Sequence, residues 1–254
     1  MEFGNYLILI SAGLILLSIL AGLISARVGA PLLLVFLGLG MLAGEDGPGG
    51  VVFDDFGTAY VIGAISLAIV LFDGGLRTGI DTLRAASWPA LGLATVGVLA
   101  TALLAGIFAQ WLFAMNWVEG LLVGAIISST DAAAVFFLLH LHGTNLAKRP
   151  SAILEAESGL NDPMAVFLTV ACVELLQSGA GSVGWHAVDD LVRSFVIQIA
   201  GGTLVGLIGG YGLVLAINRL NLAAGLYPIM ALAGALLVFA GGQVLGASGF
   251  LAVY

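Results

Sequence analysis

Charge is scarce in this sequence, and cysteine is almost absent. Only 9% of the 254 residues are charged, against roughly 25% in ordinary soluble domains. The seven basic residues form no patch of the kind that binds nucleic acid. The single cysteine, Cys172, excludes both a disulfide framework and a cysteine metal site, and its apolar surroundings predict a packed thiol. No Gly-x-x-x-x-Gly-Lys loop occurs, which argues against an ATP-driven pump, and nothing indicates a cofactor.

Apolar residues, by contrast, are abundant and fall in long runs. They make up 61% of the chain, and the mean hydropathy is +1.16. Runs of about 20 apolar residues are typical of membrane-spanning helices. We place eight such runs, and a ninth that begins near Ser248 and is cut at Tyr254; the eight cover 6–25, 31–43, 59–76, 88–108, 117–139, 151–176, 195–218 and 227–243. The sequence therefore predicts an all-α polytopic membrane protein, and the ending inside an apolar run predicts part of a longer polypeptide.

The loops between these runs differ in charge. Basic residues follow the first, third, fifth and seventh runs: Arg27, Arg77, Arg84, Lys148, Arg149 and Arg219. The alternate loops are acidic apart from Arg193, with Glu45, Asp46, Asp54, Asp55, Glu119, Asp189 and Asp190. Because basic loops stay in the cytoplasm, the pattern predicts an amino terminus outside the cell. His140 and His142 then lie near the cytoplasmic end of the fifth run, and His186 lies in an external loop.

The sixth run contains many polar residues for a membrane span. At helical spacing Glu155, Ser158 and Asp162 share one stripe. Glu157 and Asn161 form the adjacent stripe, so the five residues predict one broad polar face that turns away from lipid. Such residues usually carry function, although a paired carboxylate that only joins helices is the plainer alternative.

Asp162 is predicted to lie near the middle of the membrane. It comes about 13 residues after Arg149, or roughly 20 Å along a helix. Pro163 follows it and cannot donate to the carbonyl of Gly159. We therefore expect a kink beside Asp162 and a carbonyl that is free to face a cavity.

The fifth run is interrupted near its centre by Ser128, Ser129, Thr130 and Asp131. Ser, Thr and Asp favour helix starts, so the stretch predicts the end of one half-helix and the start of another. Discontinuous helices of this kind hold ions in transporters. Asp131 would cap the second half-helix or offset its dipole beside a cation. A continuous helix whose hydroxyls bond to its own turn is the alternative.

Asp73, near the end of the third run, is either a third carboxylate of the site or an interfacial residue paired with Arg77 or Arg84. Carboxylates, hydroxyls and free carbonyls are hard oxygen ligands that suit a monovalent or alkaline-earth cation rather than zinc or copper. Burial favours a protonated aspartate, whereas a bound cation favours the charged form. Proton and cation would thus compete for one carboxylate, which is the basis of exchange.

Three segments resemble motifs of the cation:proton antiporter superfamily, in particular of bacterial potassium/proton antiporters of the NhaP type. They are STDAAAVF at 129–136, which is similar to the broken-helix motif, ESGLNDPMAV at 157–166, which is similar to the Asn-Asp motif, and LFDGGL at 71–76, which is similar to the third-helix motif. Related sodium/proton exchangers often have Glu where this chain has Asp73. The resemblance extends along the whole chain.

The resemblance implies an antiporter fold with inverted repeats and discontinuous helices, in which this chain stops within the second repeat. Residues 1–87 would belong to the dimerisation part of a homodimer, 88–177 to the ion-binding core, and 178–254 to the seventh and eighth helices and the start of the ninth. The implied location is the bacterial inner membrane, with a role in pH homeostasis.

The resemblance also implies roles for individual residues. Asp162 would carry the proton and the cation, and the cation site would add the Thr130 carbonyl, Ser158 and Asp73. Asp131 and Asn161 would organise the helix crossing, and an Asn before the carrier aspartate implies electroneutral exchange. Potassium is favoured over sodium on the resemblance alone. Glu157 would pair with an arginine of a later helix.

Two other interpretations remain at the level of sequence. The first is a potassium efflux system of the same superfamily that behaves like a channel. The second is an enzyme, since Gly159 to Asp162 is superficially similar to the Gly-x-Gly-Asp motif of intramembrane aspartyl proteases. Asn161 replaces the second glycine and no Tyr-Asp partner motif occurs, so we expect a transporter and not an enzyme.

Overall fold

The computed structural model describes residues 9, 12–23, 32–79, 88–132, 135–136, 139, 146–177 and 185–254. Among these residues the secondary structure is helical, apart from an isolated bridge between Gly44 and Val51. The helices are α1 (Ala12–Leu23), α2 (Leu32–Ala43), α3 (Phe56–Arg77), α4 (Trp88–Phe113), α5 (Trp117–Ile126), α6 (Lys148–Gln177), α7 (Trp185–Arg219), α8 (Leu226–Val244) and α9 (Gly249–Val253). The prediction of an all-α membrane protein is confirmed.

Length and composition qualify five of the described helices as membrane spans: Phe56–Leu76, Trp88–Phe113, Lys148–Gln177, Val192–Arg219 and Leu226–Val244. Helices α1, α2 and α5 are apolar but shorter. Helix α5 is short because the helical backbone is interrupted after it, as described below. The predicted bounds of the second and eighth runs agree with α2 and α8 to within one residue at each end.

Local capping determines where two of the helices begin. Asp55 accepts hydrogen bonds from the backbone N–H and the hydroxyl of Thr58, at 3.0 and 2.6 Å, so α3 begins three residues earlier than predicted. These bonds, chiefly that from the hydroxyl, hold the pKa of Asp55 below its ordinary value. Asn116 and Glu119 form a reciprocal capping box that begins α5 at the predicted residue.

The predicted start of the seventh helix was wrong. The sequence placed His186, Asp189 and Asp190 in a loop before residue 195, whereas the backbone is already helical from Trp185. Hydropathy marks only the part of a helix that can cross a membrane, and that part begins at Val192. Polar residues can form the first turns of a helix, but hydropathy does not detect such turns. His140 and His142 lie outside the described residues.

The chain divides into two compact units, which we describe separately. The first comprises residues 1–59 and 133–146. After α2 the chain turns back on the end of that helix, where the amide of Gly49 donates to the carbonyl of Leu42 at 2.9 Å and that of Val51 to the carbonyl of Ala43 at 3.0 Å. A side chain at Gly49 would overlap the backbone of Ala43, so this close turn requires glycine.

The second unit comprises residues 60–132 and 147–254 and contains every charged candidate site residue. Helices α4 and α5 approach through small residues: a Cβ added to Gly124 would overlap the carbonyl of Ala102, and one added to Gly106 would meet the carbonyl of Gly120 at 2.9 Å. Helix α5 also packs on α6. The α4–α5 pair therefore holds the end of α5 firmly beside α6. The functional division of the chain at residues 87 and 177 stays a prediction.

A separate hydrophobic core joins α3, α8 and α9. Its buried members are Ala64, Ala68, Leu71, Ala235, Phe250 and Val253. Beyond α9, the ring of Tyr254 lies against Gly159 of α6 at a distance that no Cβ would permit. The ninth helix begins where predicted, because the Ser248 side chain accepts a hydrogen bond from the amide of Leu251 and caps it.

Candidate functional site

The break predicted in the fifth helix is present. Helix α5 ends at Ile126, residues 128–131 are not helical, and the backbone is helical again at Ala132. The hydroxyl of Ser128, which is 2% exposed, donates to the carbonyl of Ala125 at 2.8 Å and so closes the last turn of α5. The alternative of a continuous helix is thereby excluded.

Helix α6 continues through Pro163 as one element of 30 residues. The predicted polar residues of this helix differ in solvent exposure. Asn161 is 0% exposed and Glu157 is 8% exposed, whereas Ser158 and Asp162 are half-buried. Glu155 is exposed, and it takes no part in the hydrogen bonds described below for this region. The polar face of α6 is therefore narrower than the sequence predicted, since it begins at Glu157.

Ser158 bridges the break in α5. Its hydroxyl donates to the backbone carbonyl of Thr130 and accepts from the backbone N–H of Ala132, both at 3.2 Å. The first of these groups lies within the nonhelical stretch, and the second begins the next helix. One side chain of α6 thus satisfies backbone groups on either side of Asp131 that the break frees from helical bonding.

A second set of bonds connects Thr130, Glu157 and Asn161. The Thr130 hydroxyl donates to the Glu157 carboxylate, at 3.1 and 3.2 Å to its two oxygens. The Asn161 amide nitrogen lies 2.8 Å from the Thr130 hydroxyl, 2.9 Å from Glu157 Oε1 and 3.2 Å from the Thr130 carbonyl. Within the described residues, Glu157 is thus held by neutral donors of its own chain. Its implied pairing with an arginine stays a prediction.

Ser129 connects the break directly to Asp162. Its hydroxyl donates to Asp162 Oδ1, and it also lies 3.3 Å from Asn161 Oδ1. Sequence reasoning identified Ser129 only as part of the break and did not include it among the site residues. The adjacent serines were the signal in the sequence that a hydroxyl could reach the site. Which serine faces α6 depends on the nonhelical backbone, and helical or strand spacing cannot predict side-chain directions there.

Three carboxylates occupy this region, since Asp131 and Glu157 both interact electrostatically with Asp162. Like charges at such proximity repel one another, and the repulsion is strong where water is scarce. Asp131 is exposed and has an interaction of its own. The cluster therefore concentrates negative charge and oxygen atoms, which is an arrangement suited to a cation or a proton.

Asp73 lies in the last turns of α3 and is exposed. It also takes part in an interaction. The hydrogen bonds described above come from α5, its break and α6, so the structure brings together six of the seven predicted site residues through this network and its charges. The place of Asp73 in the site stays a prediction.

Chemically, the assembled groups are one half-buried carboxylate, hydroxyls and a backbone carbonyl at the point where a membrane helix is interrupted. Both the Ser158 hydroxyl and the Asn161 amide donate to the Thr130 carbonyl, so its lone pairs are already used. A cation that binds this carbonyl must displace at least one of these donors. Cation binding at this carbonyl would therefore require the network to rearrange.

Comparisons with known proteins agree with this chemistry. The family model described as "Sodium/hydrogen exchanger, transmembrane" matches residues 14–254. The chain is 49% identical over 250 residues to the K(+)/H(+) antiporter NhaP2 of Shewanella sp. (strain ANA-3), covering 98% of this chain and 43% of that protein. It is 44% identical over 254 residues to the K(+)/H(+) antiporter NhaP of Alkalimonas amylolytica, covering 100% of this chain and 43% of that protein.

A more distant relative carries a different ion in its name. The Na(+)/H(+) antiporter NhaP of Pseudomonas aeruginosa is 34% identical over 152 residues, which cover 58% of this chain and 34% of that protein. The chain spans about 43% of the length of the two relatives described first. The family match covers nearly the whole chain, and it agrees with the resemblance carried by the three sequence motifs. The chain belongs to the sodium/hydrogen exchanger transmembrane family.

Proposed function

We propose that the complete protein exchanges a monovalent cation for protons across a membrane, with Asp162 as the carrier that both ions share. The observation that carries the proposal is the break after α5, where Ser158 bonds to the Thr130 carbonyl and Asp162 bonds to the adjacent Ser129, midway along the spanning helix α6. The antiporter names of the matched relatives support it. Asp73 would complete the cation site from α3.

The contacts described above support a role for each residue. When Asp162 is protonated, Ser158 and Asn161 donate to the Thr130 carbonyl as described above. When a cation enters, the Ser158 hydroxyl turns its lone pair toward the ion, and the Thr130 carbonyl and the Asp162 carboxylate become ligands. Asn161 then keeps its bond to Glu157, so it anchors the crossing of the two helices in both states.

Exchange is electroneutral if Asp162 is the group that releases a proton when the cation binds and takes one up when the cation leaves. Asn161 is neutral and cannot carry a second proton, and Glu157 already accepts two neutral donors, from Thr130 and Asn161. One proton would then leave for each cation that binds. Asp131, which is exposed beside the site, would offset the positive end of the second half-helix.

Potassium is our favoured substrate and sodium the second possibility. The two relatives with the higher identities are named for potassium, and the more distant one for sodium. Both ions accept the same oxygen ligands. Vesicle pH recovery measured with each ion in turn, at matched ionic strength, decides between them.

The setting we propose is the bacterial inner membrane, with the amino terminus outside, a homodimeric assembly and a role in pH homeostasis. The acidic and basic loops of the sequence support the orientation. Labelling of single cysteines introduced at Glu45 and at Lys148 in a Cys172→Ser background, in intact cells, tests it. Labelling of the Lys148 position alone from outside would reverse the orientation.

The second candidate, a potassium efflux channel of the same superfamily, predicts a different observable. Reconstituted complete protein should move protons outward when potassium is added outside, also in vesicles whose membrane potential is dissipated by a permeant anion. Potassium flux without proton counter-movement would instead establish the channel. A chemical readout for the protease alternative is cleavage of a membrane peptide, which we expect to be absent.

A further inference from the structure

The hydroxyl of Ser129 has two acceptors within reach and only one hydrogen. One acceptor is Asp162 Oδ1, and the other is Asn161 Oδ1 at 3.3 Å. A hydroxyl rotates freely about its C–O bond and donates to one acceptor at a time. Ser129 can therefore occupy two hydrogen-bonding states without any movement of the backbone.

The orientation of Asn161 makes these two states distinct. Its amide nitrogen faces Glu157 and the Thr130 hydroxyl, and both of those groups need a donor there or can accept one. Its oxygen must then face Ser129, where it can only accept. Because Asn161 is fully buried, this oxygen has no water to replace a missing donor.

We infer that Ser129 is a positioning residue for Asp162. Its hydroxyl donates to Asp162 at first and rotates to donate to Asn161 when the Asp162 carboxylate takes up a proton or a cation. The inference rests on the proposed function, since it assigns a regulator to the same site. With Asp162 charged and unoccupied, Ser129 donates to it and holds it facing the break. With Asp162 loaded, Ser129 donates to Asn161 instead, and its own lone pairs face the load.

This exchange of partners links the carrier to the rest of the network. A donor arriving at the Asn161 oxygen polarises the amide, which strengthens the bonds that its nitrogen donates to Glu157 and Thr130. The bonds from Asn161 to Glu157 and Thr130 are therefore stronger when Asp162 is loaded and weaker when it is empty. Ser129 thus couples ion occupancy to the contact between the break and α6.

The matched control lies next to it in the chain. Ser128 has the same side chain in the same break, but its hydroxyl donates to the Ala125 carbonyl within α5. Loss of that hydroxyl affects the local turn and leaves the bonds to Asp162 unchanged. The charged groups that act on Asp162 are Asp131 and Glu157, and both are unchanged in all the variants compared.

The test compares Ser129→Ala, Ser129→Thr and Ser128→Ala in the complete protein reconstituted into vesicles, with exchange measured as a function of pH and of potassium concentration. A hydrogen bond to a carboxylate favours its charged form, so Ser129→Ala should move the pH of half-maximal exchange upward by about 0.5 to 1 unit. Ser129→Thr keeps the hydroxyl and should restore the profile. Ser128→Ala should keep the wild-type profile, and thermal unfolding in detergent checks that all three variants fold.

Identical pH profiles for Ser129→Ala and Ser128→Ala would overturn the inference. So would a shifted profile in Ser129→Thr equal to that of Ser129→Ala, since the shape of the side chain and not its hydroxyl would then matter. Asp162→Asn separates this failure from failure of the proposed function. If Asp162→Asn abolishes exchange while Ser129→Ala is silent, only the role of Ser129 is wrong; if Asp162→Asn exchanges normally, the carrier assignment itself fails.

Discussion

The fifth and sixth apolar runs of the sequence each contain polar residues, yet the fifth is interrupted after α5 and the sixth forms the continuous helix α6. After α5 the four residues 128–131 are poor helix formers, the Ser128 hydroxyl bonds to the carbonyl of Ala125, and the chain leaves the helix there. In α6 the adjacent pairs Glu157–Ser158 and Asn161–Asp162 are separated by Gly159 and Leu160, and even Pro163 leaves the element intact. A proline removes a single hydrogen bond, whereas Ser, Thr and Asp in the run after α5 are residue types whose side chains compete with helical backbone bonding.

The comparison teaches that the broken helix depends on the continuous one. The break exposes the Thr130 carbonyl and the Ala132 amide in an apolar medium, where unsatisfied groups cost several kcal/mol. Ser158 and Asn161 of α6 satisfy them, and they reach both only because helical spacing keeps them on one face. The regular helix α6 thus offsets the free-energy cost of the nonhelical backbone after α5, because its side chains satisfy the backbone groups that the break exposes.

The largest expected effect comes from changing the carrier on the continuous helix. Asp162→Asn keeps the size of the side chain and an oxygen for Ser129, but it cannot trade a proton for a cation. Exchange in vesicles should fall by about 100-fold or more, because charge neutralisation at this position is required in each half of the cycle. The variant should still unfold at a temperature close to that of the wild type. Normal dissipation of a pH gradient would refute the assignment.

The next effect comes from removing the bridge between the two helices. Ser158→Ala leaves the Ala132 amide and one lone pair of the Thr130 carbonyl without their partner. We expect exchange to fall by about tenfold and the apparent affinity for the cation to weaken, since a lost hydrogen bond of this kind costs about 1–3 kcal/mol. Ser158→Thr, which keeps the hydroxyl, is the control. Wild-type exchange in Ser158→Ala would show that other groups form hydrogen bonds with the Ala132 amide and the Thr130 carbonyl.

A smaller effect is expected at the hydroxyl of Thr130. The carbonyl of this residue, which we propose as the ligand, survives in Thr130→Ala, but Glu157 loses a donor and Asn161 loses an acceptor. Exchange should fall by about threefold to tenfold, and Thr130→Ser should recover it. Measurement of initial rates at several potassium concentrations checks this. A loss as complete as in Asp162→Asn would make the hydroxyl, and not the carbonyl, the ligand.

The smallest effect is expected where the continuous helix carries its proline. Pro163→Ala returns an N–H that can donate to Gly159 and removes the constraint on the turn beside Asp162. Because α6 is already continuous there, exchange should change by less than about threefold and thermal stability should not fall. A loss comparable to that of Ser158→Ala would instead show that the free Gly159 carbonyl takes part in transport.

Much of this architecture could be predicted from the sequence, for reasons that differ between residues. The apolar runs revealed the helices, and the Ser-Ser-Thr-Asp run revealed the break, because hydropathy and capping chemistry are local properties. The start of α7 at Trp185 could not be predicted, since its first turns do not meet the criterion for a membrane span. Helical spacing correctly grouped Glu157, Ser158, Asn161 and Asp162.

The contacts of the break escaped prediction because they depend on two segments at once. Which serine of the pair reaches Asp162 is set by a nonhelical backbone, and no repeat describes it. The same holds for Glu157, whose donors in the described structure are Thr130 and Asn161. Tyr254 is a further case, since its packing against Gly159 joins residues far apart in the chain.

The central claim is that proton and cation share one carboxylate, and proton release on cation binding tests it most directly. Titration of the complete protein in detergent with potassium, by calorimetry in buffers of different ionisation enthalpy, should show release of about one proton per bound cation at a pH where Asp162 is protonated. The same titration of Asp162→Asn should show none. Potassium binding without proton release in the wild type, at every pH where the protein exchanges, would contradict the account.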